Sequence, residues 1–553
     1  MKPTSEQTDA LGKFLTGGSL KIEACAGAGK TTTLKMLARA THRSGLYLAF
    51  NRDIAKEAAA SFPKHVECRT GHSLAYSAHG RDYQSQGRLR SNVNARVMLE
   101  SLGALEYMGG HDEHALFSRL LRGISKFCAS ARTQPSLLDL GDLDPEHEID
   151  SLLMTHGESW LEVLWEQMSS KDASAPTTHD VYLKVWALSR PKCPAEFVLF
   201  DEAQDGNPVL LDLLALWERR DGAQIVAVGD RYQQIYSWRG AINAMERYET
   251  THTSRLTQSF RYGEPIAALA RTILSGLRGA HVPIRGTDQA ARVIADFDEA
   301  NPDTLPDAVL TRTNAVAMSE VIALHERGIA VAVAGGVGDL ISLLRGADAL
   351  RRGRPTKRAE LVGYANWSEL VDASEHEDGA HLRVLVRMVE EYDLGELIEL
   401  LEKVKLVKDP EVTVSTAHRS KGLEWDHVRL ASDFRVPKTQ DDGSIRVPDE
   451  EAHLLYVAVT RARQTCDVSA CPLARYALSL EHDGEDNPPV THTDPESPAH
   501  GDTPSTQDPR RAGLLERLEA LAVRRGLGAN DLLDELLERE ELRHGEFTQC
   551  TLF

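Results

Sequence analysis

The sequence predicts an α/β fold with parallel sheets, in which strands alternate with helices in two blocks. Three observations carry that expectation. Apolar runs of strand length stand at SLKIEA (residues 19–24), EFVLF (196–200) and IVAVG (225–229). Polar turns follow each of them, at the carboxyl edge where parallel sheets bind ligands. TTTLKMLARA (31–40) then has the apolar spacing of a helix with one buried face.

A chain of 553 residues, 42% of them hydrophobic, can bury several cores, so at least two domains with insertions are expected. No charge-free apolar run reaches bilayer length, and residues 1–20 lack a basic-then-apolar leader. The expectation is a cytoplasmic protein, nucleoid-associated in a prokaryote, with no membrane partner. Seven cysteines without a C-x-x-C pair suggest neither a disulfide framework nor a zinc ribbon. The formal net charge of −20 argues against a generally basic surface but leaves room for one local groove that holds nucleic acid.

The turn after the first strand lies in EACAGAGKTTTL (23–34), which has the layout of a phosphate loop except that Ala24 replaces the usual first glycine. Gly27 and Gly29 let backbone N–H groups of the segment Ala26, Gly27, Ala28, Gly29 face a phosphate. Lys30 places a charge on the outer phosphates, and Thr31, next to Thr32, can ligate magnesium. A Gly/Ala turn before a helix is often only structural; the attached GKT favours the phosphate reading. Downstream, EFVLFDEAQD (196–205) ends a buried strand in acids. Asp201 would hold the metal and Glu202 would orient or deprotonate a water. IVAVGDRYQQIYSWRGA (225–241) adds Gln233, suited to sensing a γ-phosphate, and Tyr236, Trp238 and Arg239, a platform on which bases can stack. Taken singly, such aromatics are more often core.

EACAGAGKT, DEAQD and GDRYQQIYSWRGA together resemble motifs of the superfamily 1 DNA helicases of the UvrD/Rep type, whose phosphate loop often begins with alanine. The resemblance implies two RecA-like lobes, ATP and Mg2+ as cofactors, and single-stranded DNA and its junctions with duplex as partners. Further motifs follow in order. Gln7 in SEQTDAL would read the adenine edge, and Phe260 in LTQSFRYG would pack on adenine beside the arginine finger Arg261. Phe50 and Asn51 in LAFNRDIAKEA, and Thr70 and His72 in TGHSLAY, fall where the family contacts DNA; Gly71 stands in place of the usual aromatic. VTVSTAHRSKGLEWDHV (412–428) supplies His418 and Lys421 for coupling and DNA contact, and Glu424 for the ribose. EEAHLLYVAVTRAR (450–463) supplies Arg461 as a second finger on the γ-phosphate. THDVYLKVWALS (178–189), KFCAS (126–130) and VAGGVGDL (333–340) resemble the branch containing the F-box DNA helicases, although no F-box is recognised.

On this reading the first lobe comprises residues 1–72 and 193–255, with a helical insertion at 73–192 holding Trp160, Trp165 and Trp186. The second comprises 256–339 and 405–479, with a short insertion at 340–404. Inside that insertion RRGRPTKR (351–358) is either a solvated face or a DNA contact. The Pro/Asp/Ser/Thr-rich stretch 480–512 predicts a flexible linker, and 513–545 predicts short amphipathic helices. Those helices would pack on the motor or bind a protein partner such as a recombinase.

The leading functional expectation is an ATP-driven motor on single-stranded DNA, with 3′ to 5′ polarity implied by the resemblance. The alternatives are a DNA-stimulated ATPase that strips proteins such as recombinase filaments with little unwinding, and a protein that ATP switches between binding states. The tail offers no spaced Asp, Glu and Lys on strands, which argues against a helicase-nuclease.

Overall fold

The structure is a computed structural model and describes residues 2–482, apart from 91–92, 110, 236–242, 297–303, 355, 357, 359–360, 362–363, 365, 376–381, 438 and 440–444. Tyr236, Trp238 and Arg239 lie outside the described residues, as do the expected C-terminal helices and nearly all of the expected linker.

Two six-stranded parallel sheets organise the described residues. The first contains β1 (Leu20–Ala24), β2 (Gly45–Leu48), β3 (Val66–Arg69), β4 (Phe197–Phe200), β5 (Gln224–Gly229) and β6 (His252–Leu256), in the order β3-β2-β4-β5-β1-β6. Every residue of β2, β4 and β5 is buried. This explains their near-continuous apolar sequences, since interior parallel strands are covered on both faces. β6, at an edge, alternates instead. A parallel pair, β7 (Gln258–Gly263) and β8 (Arg285–Thr287), leads into the second sheet.

That sheet contains β9 (Arg292–Ile294), β10 (Ala308–Thr311), β11 (Val331–Val333), β12 (Val412–Thr416), β13 (Trp425–Leu430) and β14 (Ala462–Asp467), in the order β11-β12-β10-β13-β14-β9. Segments between β3 and β4 fold as helices that include Glu113–Ala129 and Glu148–Ser169, and Trp160 and Trp165 belong to a core of their own. Trp186 leaves that core and packs edge-on against Trp217 beside the first sheet, with centroids 6.1 Å apart. The helices between β11 and β12 behave differently. Gly338–Arg351, Arg383–Glu391 and Leu394–Val404 share one apolar cluster with β12 and the helix Asn314–Glu326.

Three arginines of the basic run in this region have local partners. Arg352 pairs with Asp348 at 3.0 Å and Arg358 with Asp339 at 3.2 Å, while Arg351 donates to the Val389 carbonyl. Among the described residues, no helix is long and apolar enough to cross a membrane.

The halves meet through a continuous apolar cluster that runs from Leu20 and Ile22 to Leu454 and Val457. At its edge, His453 on the helix Asp449–Val459 is 8% exposed, and its Nδ1 lies 3.1 Å from the Gln234 carbonyl. Burial pushes the imidazole down to about 4, against that carbonyl bond, with Arg278 adding to the fall and Asp449 and Glu246 opposing it. The Tyr232 ring packs edge-on against it.

A histidine kept neutral in the fold but free to charge when unfolded contributes stability above its ordinary value near 6.5. That contribution is lost as pH falls toward 4, by an order-of-magnitude total of about 3 kcal/mol. His453→Gln should flatten this part of the pH profile when urea midpoints are compared between pH 7 and pH 4. Parallel profiles for the two proteins would contradict the assignment.

Candidate nucleotide cleft

β1 enters the cleft between β5 and β6, and its last residue, Ala24, pairs with Leu256 while 5% exposed. A buried strand end accepts alanine, which accounts for the residue at the first position of the loop. The chain then turns through Gly27 (φ 74°) and Gly29 (φ 75°), both in the left-handed region that favours glycine. A Cβ at Gly27 would stand 2.6 Å from Ser259 Oγ and 2.7 Å from Arg261 Cβ, so this position also needs glycine for space. The helix Lys30–Arg39 begins without a side-chain cap, which leaves its first N–H groups available to an anion.

Gly27, Ala28, Gly29, Lys30, Thr31 and Thr32 form one wall of a cleft of about 450 Å³, together with Glu202 and Gln233. Phe260, Arg261, Lys421, Glu424 and Arg461 face them. Gln7 stands behind Gly29, with Nε2 donating to Thr33 Oγ1 at 3.2 Å; the Phe260 ring, 38% exposed, flanks the same glycine. Ala26 is covered, its N–H donating to the Tyr456 hydroxyl at 3.1 Å.

Acids crowd the ends of β4 and β5. Lys30 Nζ lies 2.9 Å from Glu202 Oε1. Burial alone would lower the lysine, but Glu202, Asp201 and Asp230 outweigh it and keep the ammonium charged. Asp201 accepts from the Tyr47 hydroxyl at 2.6 Å and from Thr31 Oγ1 at 3.4 Å, and burial with the Glu202 charge beside it raises its carboxyl. Glu202 goes the other way: burial would raise it, yet Lys30 and Lys421 hold it well below the carboxylate range. Environments that push two neighbouring carboxyls apart assign them different work. Glu202 also sits at φ 53°, ψ 41°, a left-handed conformation that a non-glycine residue adopts at a cost. Bonds to Asp201 Oδ1 from its N–H (2.9 Å) and to its own Oε2 from Gln204 Nε2 (2.5 Å) hold it there.

The opposite wall is cationic. Arg261 Nε donates to Glu424 at 2.6 Å and its Nη1 to the Thr460 carbonyl at 3.0 Å. Arg461 is 1% exposed and donates to the carbonyls of Val457 and Leu423 and to Thr460 Oγ1. Burial, followed by Arg261, pushes its guanidinium down to about 9. Among the described residues no carboxylate pairs with it. A buried guanidinium beside a cleft without a carboxylate partner fits a polyanion, and a phosphate chain suits the donors on both walls. One hydroxyl and one carboxylate, Thr31 and Asp201, suit magnesium, which takes its remaining oxygens from water and phosphate.

The residues expected to contact DNA are divided between the cleft and its surroundings. Phe50 and Asn51 line the nucleotide cleft, and Asn51 Oδ1 caps the helix Arg52–Ala59 by accepting from Ile54 N at 2.9 Å. Lys421, expected to serve coupling and DNA contact, reaches across the halves: the loop after β12 turns at Gly422 (φ 88°) and brings the ammonium over the acids of the first sheet. There it bonds Asp205 and the Gln233 carbonyl and lies 3.6 Å from Glu202. Thr70 and His72 lie away from the cleft. Thr70 caps the helix Gly71–Ala75, and His72 Nε2 lies 3.1 Å from Asp180 of the inserted helices. Gly71 makes room for Leu210, whose Cδ2 would stand 2.7 Å from a Cβ there. His418 Nε2 is 3.8 Å from Glu450.

The sequence reading gave no role to Tyr47, Asp205, Asp230 or Tyr456. Asp205 was visible as the third acid of DEAQD and Asp230 as the acid of GD, whereas Tyr456 looked like one more apolar residue of its helix.

Residues 4–250 match the UvrD/REP helicase N-terminal domain and residues 349–472 the UvrD-like helicase C-terminal domain. The chain belongs to the UvrD-like helicase family. Among relatives within reach of this family, F-box DNA helicase 1 of Gallus gallus is 29% identical over 534 residues, covering 87% of this chain and 50% of its own length. F-box DNA helicase protein 1 of Schizosaccharomyces pombe is 30% identical over 521 residues, covering 86% and 58%. ATP-dependent DNA helicase UvrD2 of Mycobacterium tuberculosis is 28% identical over 319 residues, covering 48% and 45%. The chain thus spans about half the length of these curated relatives.

In this UvrD-like cleft Lys421 neutralises the buried Asp205, whose carboxyl burial pushes up and the lysine pulls down. Lys421→Met should destabilise the joined halves by about 3–5 kcal/mol, because it leaves a buried charge unpaired. Adding Asp205→Asn should recover most of that loss in thermal unfolding. Additive losses would contradict the pairing.

Proposed function

We propose that this chain is an ATP-driven DNA helicase that moves along single-stranded DNA, with 3′ to 5′ polarity expected from its family. One observation carries the ATP part of the reading: Arg461, buried and without a carboxylate partner among the described residues, faces the phosphate loop across a cleft built from both halves.

In this reading Lys30 and the open N–H groups of the helix Lys30–Arg39 bind the outer phosphates. Thr31 and Asp201 would hold magnesium, which supplies positive charge to the phosphate oxygens when bound. Glu202, kept ionised, orients the attacking water. Gln233 meets the γ-phosphate, while Arg261 and Arg461 stabilise the charge that develops on it. Gln7 and Phe260 flank the place of the base, and Glu424 reaches the sugar.

Cations from both halves would draw the halves together on ATP and release them after hydrolysis. Alternating closure and opening moves a strand held by stacked bases, a grip that tolerates any sequence.

A second reading, displacement of bound proteins with little unwinding, is favoured by the helices between β11 and β12. They share the core of the second sheet, whereas the helices between β3 and β4 have a core of their own.

The test is a panel of ATP turnover with and without a dT oligonucleotide, strand separation on duplexes with 3′ or 5′ tails, and clearance of a recombinase filament. Stimulated turnover with separation from 3′ tails is expected. Turnover indifferent to single-stranded DNA would end the motor reading, and clearance without separation would install the second. Lys30→Ala should lower turnover by at least about a hundredfold, since it removes a charge that contacts the transferring phosphate. Retained turnover would place the site elsewhere.

A further inference from the structure

One buried side chain outside the roles assigned above links groups behind both walls of the cleft. Tyr456, on the helix Asp449–Val459, is fully buried, and its hydroxyl crosses to the first sheet. There it accepts the Ala26 N–H of the phosphate loop at 3.1 Å and donates to Asp230 Oδ2 at 2.9 Å. Asp230 in turn accepts from Gln233 Nε2 at 2.7 Å and caps the backbone of Tyr232 at 3.2 Å. On the other side, the Tyr456 carbonyl accepts from Thr460 Oγ1 at 2.9 Å. Thr460 then meets both arginines: its carbonyl accepts from Arg261 at 3.0 Å and its hydroxyl from Arg461 at 3.2 Å.

A buried phenol needs partners wherever it lies, and here both partners belong to the opposite half and to the nucleotide machinery. Here the phenol joins the first amide of the phosphate loop to the carboxylate that orients Gln233. The backbone of the same residue holds the threonine that receives both arginines. Asp230 is itself buried, and burial raises its carboxyl against the pull of Lys30, so each hydrogen bond donated to it helps keep it charged.

We propose that Tyr456 is a positioning residue for ATP hydrolysis: when the halves meet, its hydroxyl sets Gln233, through Asp230, and the phosphate loop in register with Arg261 and Arg461. This rests on the ATP-turnover reading given above, and it assigns the step at which closure of the halves is sensed to a residue that need not touch the nucleotide.

The test uses the full chain, ATP with magnesium and a saturating dT oligonucleotide. Tyr456→Phe keeps the ring and removes only the hydroxyl. It should lower kcat by about tenfold or more, the equivalent of one hydrogen bond to a charged group. The sharper readout is a cycle with Gln233→Ala. If Tyr456 acts through Gln233, the double variant should turn over within about twofold of Gln233→Ala alone. A merely structural tyrosine would give losses that multiply, and that result overturns the proposal, as does wild-type kcat in Tyr456→Phe.

Should Tyr456→Phe fail to fold, Asp230→Asn interrogates the same chain. A similar kcat loss that does not multiply with Gln233→Ala supports the proposal, and unchanged kcat overturns it. A wild-type protein without DNA-stimulated turnover would remove the motor reading and this inference together, and is recognised before any variant is compared.

Discussion

The structure depends on one constraint: Asp201, Glu202, Asp205 and Asp230 converge at the carboxyl ends of two neighbouring strands, where little water reaches them. Unneutralised, such a group would lose its charge or unfold its surroundings. Lys30 answers from within the first half, beside Glu202, and Lys421 answers from the second, against Asp205. The two halves are therefore joined at the cleft by the same charges that would handle a nucleotide. A phosphate chain entering the cleft competes for those cations, which gives chemistry at the site a direct hold on the contact between the halves.

The fold serves that constraint. Parallel strands covered on both faces bring their carboxyl ends to one edge, and the order of the first sheet places β1 beside β5, next to β4. The phosphate loop, the DEAQD acids and Gln233 therefore arise on neighbouring strand ends. At the site itself Glu202 keeps a left-handed backbone because Asp201 and Gln204 hold it from two sides. The second half contributes a wall of guanidinium groups fixed by backbone carbonyls and Thr460, so those charges are aimed before any ligand arrives.

Much of this was legible in the sequence. EFVLF and IVAVG announced doubly covered strands because their apolar runs are unbroken, and the glycines of CAGAGK announced a turn that other residues would clash with. Lys30, Asp201, Glu202 and Gln233 come together because each follows a strand of the first sheet at its carboxyl edge, while Arg261 and Arg461 come from β7 and from the turn before β14. What sequence could not show were contacts across the halves. Lys421 stood beside motif residues that suggested DNA, and only the turn at Gly422 reveals that it faces the acids instead. That Phe50 and Asn51 also line the cleft was hidden for the same reason, since spacing says nothing about which side of a strand end a loop will take. Tyr456 was hidden by its setting, LLYVAV, where a tyrosine and a phenylalanine look alike until the hydroxyl finds its partners.

The central claim, that nucleotide charge governs the contact between the halves, is tested most directly by a distance. Spin labels at the exposed positions Ala40 and Arg327, one in each half, report their separation in a background from which accessible cysteines have been removed. The account predicts that the distance distribution shifts when a non-hydrolysable ATP analogue and magnesium are added, and that Lys421→Met blunts the shift. Identical distributions with and without nucleotide would contradict it.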